Sequence, residues 1–383
     1  MGENIAANDG RPMLAGLRIV DMTTIVFGPY ATQILGDFEA QVTKVEAPGG
    51  DFYRYAQKPA QTAGMSPGFI ALNRNKRSIV LDLKDDADAG RMREMLREAD
   101  VFIHNVRADA IAKLGFDYDS VRAINPKIVF VHCVGFGSAG RYGGLQAYDD
   151  VIQAASGAAS LLPRADGNPA PRYLPSLIAD KVAGLHAAYA TMAALIHRLR
   201  TGEGQFVEVP MFEAFAGFML KEHLAGATFD PPVGPQIYER QVDPDRQPFP
   251  TSDGHISIVP YRLEHFPKVI ALMGDPDFAG QERFENPRGI MEAGPELYRK
   301  IAQLSARRST AEWLAVFEEA GIPAMAVRRT EEVPDDPHMR DVDFFAASQH
   351  PTEGTVRQMR EPSRFSAWDA PDPGDAPLLG SSD

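Results

Sequence analysis

The chain has 383 residues, enough for two or three folded units at roughly 100 to 200 residues each. A content of 44% hydrophobic and 24% charged residues, with Gly (33) and Pro (30) near ordinary usage, excludes disorder, collagen and fibre. Lys plus Arg (39) against Asp plus Glu (52) leaves a formal charge of -13, the wrong sign for phosphate backbones, so no nucleic-acid partner is expected.

Met1 to Met13 is polar with no apolar h-region, and the longest apolar stretch, Leu185 to Ile196, is interrupted and too short for a bilayer, so neither secretion signal nor membrane anchor is expected. Leu17 to Asp21 then reads as a strand, Thr23 to Gly28 as a loop, and Tyr30 to Phe38 as a helix with Pro29 in its first turn. The alternation continues with strand Gln41 to Val45, strand Ser78 to Leu83, helix Asp86 to Ala99, strand Val101 to Val106, two short helices, and strand Lys127 to Val134. Such alternation predicts an α/β fold with a mostly parallel, doubly wound, Rossmann-like sheet. The only cysteine, Cys133, lies in the last of these strands without an intrachain partner; it reads as a small buried hydrophobe and suits a reducing cytoplasm.

A long Ala-rich helix opens near Asp180 and runs to Arg200, with Arg198 and Arg200 at the end where cations suit the dipole. Thr201-Gly202-Glu203-Gly204 breaks it, Phe206 to Pro210 is β-like, and helix Met211 to Leu224 leads into a Pro- and Gly-rich stretch. From Phe249 the style changes to a small α+β domain: turn Ser252-Asp253-Gly254, strand His255 to Val259, and helices around Leu263 to Met273, Pro295 to Ser305 and Thr310 to Ala320. The expected organisation is a large domain over 12–205, a linker over 206–248, a small domain over 249–330, and a segment over 331–383 that returns to the large domain.

Gly135-Phe136-Gly137-Ser138-Ala139-Gly140 has the spacing of a dinucleotide fingerprint, yet Arg141-Tyr142-Gly143-Gly144 prolongs the loop where a pyrophosphate-binding helix would have to start, so nicotinamide binding is not expected. There is no Walker loop, HExxH pattern or GxSxG elbow, and the nine scattered histidines read as surface or satisfied residues, so no metal is expected. Asn73-Arg74-Asn75-Lys76-Arg77-Ser78 just before a strand reads either as a solvated turn or as a phosphate-binding cluster. Asp180 reads either as the N-cap of its helix or, since a helix N-terminus favours the ionised carboxylate, as a nucleophile.

From Leu14 to about Phe365 the chain resembles the family III CoA-transferases, the CaiB/BaiF group that includes formyl-CoA transferase, carnitine CoA-transferase and 2-methylacyl-CoA racemase. The resemblance is carried by ordered pieces: Leu14-Ala15-Gly16-Leu17-Arg18-Ile19-Val20-Asp21, Gly28-Pro29-Tyr30-Ala31-Thr32-Gln33, Lys44-Val45-Glu46, Asn73 to Ile79, Ala99-Asp100-Val101 with Asn105, Asn125-Pro126, Gly135-Phe136-Gly137, Tyr148-Asp149, Gln153-Ala154, Ser156-Gly157, Asp180 with Gly184, and Thr201 to Gln205. It implies an interlocked, ring-like homodimer, with acyl-CoA and a carboxylic acid acceptor as substrates. It also implies that Asp180 attacks the thioester to give a mixed anhydride and then an aspartyl-CoA thioester. Carried over residue by residue, coenzyme A binding falls on Asn73, Asn75, Lys76, Asn105, Val106 and Lys113, the last where relatives often place an arginine.

Two departures bear on the reaction. Racemases of the group resemble Gly-His-Asp where this chain has Ala147-Tyr148-Asp149, and a tyrosine, ordinarily titrating near 10, replaces a proton-transfer histidine poorly. Transfer is therefore expected over racemisation or isomerisation, and over CoA binding without catalysis. Thr24-Ile25-Val26-Phe27 stands where formyl-CoA transferases carry His-Val-Gln-Ala, so oxalate and formate are not expected substrates. Ile25 and Phe27, with Tyr30, Tyr53, Phe136 and Tyr148, are candidates for a larger apolar acyl pocket, although most of these aromatics suit a core equally well.

Overall fold

The computed structural model describes residues 13–58 and 60–382; the polar lead over residues 1–12, including the expected domain start at 12, lies outside the described residues. The chain divides into two compact units, one over 1–159, 173–221 and 337–383, the other over 160–172 and 222–336.

The larger unit is built on β1 (Arg18–Met22), β2 (Gln41–Glu46), β3 (Lys76–Val80), β4 (Val101–His104), β5 (Val129–Val134) and β6 (Gln205–Pro210). These form one sheet in the order β3-β2-β1-β4-β5-β6 with every pairing parallel. The helices between them are α1 (Phe27–Asp37), α2 (Pro67–Asn73), α3 (Asp86–Glu98), α4 (Ala108–Lys113), α5 (Tyr118–Ile124) and α6 (Asp149–Ala155). After α7 (Leu161–Asp166), which belongs to the other unit, α8 (Ile178–Thr201) and α9 (Met211–His223) complete the set.

Alternation along the strands divides the core. Ile19, Val101, Ile103, Val129, Val131 and Cys133 face α1 and α8, while Val20, Phe102 and Phe130 face α3 and α5. Burial on both faces explains why these strands read as nearly continuous apolar runs, and each fully buried large side chain contributes about 1.5–3 kcal/mol. Burial pushes the Cys133 thiol well above its ordinary range, and the nearby Asp21 carboxylate adds to that.

Helix starts follow local chemistry. Ser66 caps α2 ahead of Pro67, Asp85 caps α3 through the N–H groups of Ala87 and Asp88, and Asp117 caps α5 through Ser120. At the far end of α8, Gly202 adopts φ 80°, the left-handed conformation that terminates a helix cheaply only at glycine. The expected linker start at 206 falls inside the sheet: β6 pairs with β5 and leads into α9, so the larger unit continues to residue 221. The segment over 337–383 adds a short helix and a β-hairpin whose turn carries Glu353, which accepts the Gln61 and Thr62 N–H groups at 2.7 and 3.0 Å.

The second unit has its own core, with Trp313, Phe317, Leu297 and Ile301 buried. Its three-stranded antiparallel sheet comprises β7 (Phe249–Pro250), β8 (His255–Ile258) and β9 (Ala324–Ala326). Around it lie α10 (His265–Leu272), α11 (Pro276–Ala279), α12 (Pro287–Glu292), α13 (Gly294–Ser305) and α14 (Thr310–Glu319). The Gly254 turn joins β7 to β8, with the Thr251 N–H donating to the Gly254 carbonyl at 2.9 Å. Back in the larger unit, α15 (Pro337–Asp341) precedes the hairpin of β10 (Phe345–His350) and β11 (Gly354–Met359). Among the described residues no helix is long and apolar enough to cross a membrane.

Candidate active site

In a doubly wound sheet the connections leave in opposite directions on either side of the central strands, and the crevice at their carboxyl ends accepts ligands. Here that point lies between β1 and β4, where the loops Thr23–Val26 and Asn105–Arg107 emerge. Asn105 ties the two loops together: its Oδ1 accepts the Thr24 N–H and its Nδ2 donates to the Thr24 carbonyl, both at 3.0 Å. Ile25 has φ 75°, a strained conformation for a β-branched residue. Asp51 holds it there, accepting the Ile25 N–H at 3.1 Å while its carboxylate pairs with fully buried Lys44 at 3.0 Å.

The crevice opens into a cavity of about 780 Å³. Ile25, Asn105, Val106, Phe136 and Tyr148 line it, so five of the expected site residues meet there. Phe136 is also core, packing on Phe212 and Tyr142, and Tyr148 is exposed at the N-cap of α6. Phe27 is absent from the lining and buried as the first residue of α1. Lys113 lies exposed at the end of α4, beyond the lining. Arg107 does line the cavity, and sequence reasoning missed it; its position just past the carboxyl end of β4 was the available signal.

Asp180 is the third residue of α8 and is not its cap. Leu177 occupies that position without a side-chain cap bond, and the helix starts at Ile178. The Asp180 side chain is buried and faces the backbone N–H of Phe27, at the N-terminus of α1. Its own N–H donates to Asp149 Oδ2 at 3.0 Å. The expectation of a carboxylate kept ionised by its helix terminus does not survive this environment. Burial first, and the Asp149 charge second, push Asp180 up to about 7, against which the Phe27 N–H acts only weakly. The charge of Asp180 in turn helps burial raise the Tyr53 phenol, which places Tyr53 at the same site. Gly184, one turn along α8, permits this approach: a Cβ there would stand 2.9 Å from the Phe27 carbonyl oxygen.

The cluster Asn73 to Ser78 differs from expectation because β3 begins at Lys76, two residues earlier than predicted. Strand alternation then turns Lys76 and Ser78 inward and Arg77 outward. Lys76 Nζ is fully buried and donates to Asp21 at 3.1 Å, to Thr32 at 2.8 Å, to Asn73 Oδ1 at 2.9 Å and to the Pro29 carbonyl at 3.1 Å. Arg74 pairs with Asp37 at 2.6 Å, and Asn75, at φ 62°, donates to Asp37 and accepts the Gly374 N–H. Burial alone would raise Asp21, but Lys76 and Lys44 beside it, with the hydroxyls of Thr23 and Thr32, hold it at about 2. Burial lowers Lys76 to about 8, with Asp21 opposing the fall. Lys76, held by Asn73, therefore braces the end of β1 from inside, while Arg74 and Asn75 hold the end of α1.

The histidines also depart from expectation at one place. His104 and His132 stack with ring centroids 4.4 Å apart at the cavity wall. The Val106 carbonyl bears on both rings but hydrogen-bonds only His132, at 2.9 Å; both nitrogens of His104 lack a partner. Burial, with the neighbouring His132, holds His104 far below the usual imidazole range, so it is neutral at pH 7. In the Gly-rich loop, the Gly137 and Ser138 N–H groups already donate to Glu213 and Glu208, at 3.0 and 2.9 Å. Among the described residues no cluster of three or more His, Cys, Asp or Glu side chains converges as a metal site.

A strained loop at the switch point, a cavity beside it and a buried carboxyl group titrating near neutrality come together in the α/β unit, the features of an enzyme site. The family description CoA-transferase family III matches residues 14–383. The chain is 30% identical, over 86% of its length and 84% of the relative's, to a succinate–glutarate CoA-transferase of Agrobacterium fabrum. It is also 30% identical, over 95% of its length and 94% of the relative's, to a probable fatty acyl-CoA transferase of Mycobacterium tuberculosis. A crystal structure of a CAIB/BAIF family protein from Brucella suis superimposes with a TM-score of 0.83, at 28% identity and 96% coverage of both chains. The chain belongs to CoA-transferase family III and is an enzyme of that family.

Proposed function

We propose that this enzyme moves CoA from an acyl-CoA thioester to a carboxylic acid through covalent intermediates on Asp180. The supporting observation is a buried carboxyl group with a pKa of about 7, close to the crevice: Phe27, whose N–H faces it, lies two residues from Ile25, and Asp149, which accepts the Asp180 backbone N–H, follows Tyr148. The Asp180 oxygen attacks the thioester carbonyl, the C–S bond breaks, and CoA leaves as thiolate. The thiolate attacks the Asp180 acyl carbon of the anhydride and releases the first acid as its carboxylate, leaving an aspartyl-CoA thioester. The acceptor carboxylate then attacks the carbonyl of that thioester, the C–S bond breaks, and a second anhydride forms; the CoA thiolate attacks the acceptor acyl carbon of this anhydride, and Asp180 leaves as free carboxylate. No net proton transfer is required. A raised pKa makes the carboxylate, once ionised, a stronger nucleophile than an exposed aspartate.

In this proposal Asn105, Val106, Arg107 and Lys113 meet the nucleotide end of CoA, while Asn73 and Lys76 act from behind by holding the end of β1 and Asn75 by holding the end of α1. Ile25, Phe136 and Tyr148 border the acyl group. The homodimer is part of the same reading. Leu185, Tyr189, Ile196 and Leu199 form one exposed apolar stripe on α8, which a second copy of the chain would cover; sedimentation should show twice the chain mass.

Asp180→Ala is expected to retain CoA affinity within about threefold while losing at least about 10³ in kcat, since a covalent route is removed while binding groups remain. Near-wild-type transfer by this variant would refute the mechanism. A pKa near 7 also suits a general acid or base, so racemisation at the α-carbon is the second reading. Solvent deuterium incorporated at that carbon without acyl exchange would establish it instead.

A further inference from the structure

The first turn of α8 carries the nucleophile yet has no cap of its own, because Leu177 supplies no side-chain acceptor. The Asp180 N–H, which has no intrahelical acceptor, is met from another helix by Asp149 Oδ2. The other oxygen of Asp149 accepts Gln153 Nε2 at 2.6 Å, one turn further along α6. The same Gln153 amide donates to the carbonyls of Ser176 and Leu174, at 3.1 and 3.3 Å, and its Oε1 accepts the Leu174 N–H at 2.8 Å. Gln153 is fully buried. One amide thus grips both the irregular segment that enters α8 and the carboxylate that caps it.

Resting on the covalent reading of Asp180, we propose that Gln153 is a positioning residue: acting through Asp149, it fixes where the Asp180 carboxyl group stands and at which pH it ionises. A Gln at this place serves better than a charged side chain, because its amide offers two N–H donors, shared among a carboxylate and two carbonyls, together with an oxygen that accepts one N–H. The titratable groups facing Asp180 are Asp149 on α6 and Tyr53 in the 52–55 turn. From α1 come the Phe27 N–H and, against Gly184, the ring of Tyr30. On α8 itself, Lys181 directs its ammonium to Ser176 Oγ at 2.7 Å. Asp149 is therefore the neighbouring charge with most influence on Asp180, and Gln153 is the group that holds it.

The test uses the full-length enzyme in four forms: wild type, Gln153→Met, Asp149→Asn and Asp180→Asn. The pH dependence of covalent labelling by succinyl-CoA is read by intact mass, and thermal stability is recorded against pH with no ligand present. Asp149→Asn should move the acidic limb of labelling and the ligand-free stability transition of Asp180 down by at least about one pH unit, since the neighbouring charge is gone. Gln153→Met should move both the same way and slow labelling at least about tenfold, with CoA affinity within about twofold, as misplacing a reacting group predicts. A merely structural Gln153 would lower the melting temperature and leave both midpoints and the labelling rate of folded enzyme unchanged, which would overturn the proposal. Unmoved midpoints in Asp149→Asn would overturn it equally, even if Gln153→Met fails to fold. Undiminished labelling of Asp180→Asn, or none of wild type, would count against the covalent reading. The stability transitions would still decide whether Gln153 and Asp149 set the ionisation.

Discussion

Asp180 is a carboxyl group that the fold keeps out of water and beside another negative charge, so the protonated form is favoured in the folded state. Its folded pKa, about 7, lies above the ordinary 3.8 of the unfolded chain. The stabilisation from that retained proton is complete below pH 3.8 and is lost as pH rises through 7. Replacing the group by a neutral isostere removes the loss. Asp180→Asn should therefore be more stable than wild type at pH 8 by roughly 2–4 kcal/mol, with the difference vanishing near pH 4. Urea denaturation at the two pH values measures this, and equal differences at both would contradict it. Lys76 offers the opposite case. It is fully buried against Asp21, so Lys76→Met leaves a core carboxylate without its direct ion-pair partner and should cost about 3 kcal/mol, Lys44 and the Thr23 and Thr32 hydroxyls compensating the rest. Near-neutral stability together with a weaker salt dependence of CoA binding would instead place Lys76 at the surface on the phosphates.

At the scale of elements, the site depends on how closely α1 and α8 approach. Gly184 stands against the Phe27 carbonyl and the Tyr30 ring, with no room for a Cβ. Gly184→Ala gains about 1 kcal/mol of helix propensity but loses about 1–3 kcal/mol to overpacking. Stability should therefore fall by no more than about 2 kcal/mol, while the shift of α1 draws the Phe27 N–H away from Asp180 and lowers kcat at least about tenfold. Unaltered kcat would mean that the contact does not hold the nucleophile. Elements of this kind were legible to different degrees. The apolar runs of β1, β4 and β5 and the caps of α3 and α5 are written in local residue types. The start of β3 is not, because Lys76 and Arg77 look like a turn until a buried Asp21 is known to face one of them. The cap of α8 is equally hidden in local sequence. Its acceptor is Asp149, 31 positions upstream.

For the whole molecule, alternating strands and helices made the doubly wound class legible, and the ordered family pieces made Asp180 and Asn105 stand out. Strand order was not legible, since β6 joins the sheet only after α8, beside β5, whose Val129 pairs with Gln205, 76 positions further along the chain. Nor was the assignment of 160–172 to the second unit, a short segment with no pattern of its own. The internal faces of the basic cluster and the His104–His132 stack follow from long-range packing, which a single chain read locally does not encode. The central claim, that Asp180 becomes covalently linked during transfer, is tested most directly by intact mass measurement of wild type and Asp180→Ala after mixing with acetyl-, succinyl-, branched-chain and aromatic acyl-CoAs, followed by peptide mapping. The expected result is a CoA or acyl adduct on the peptide containing Asp180, present in wild type and absent from the variant. An adduct that persists in Asp180→Ala, or maps to another residue, would contradict the claim.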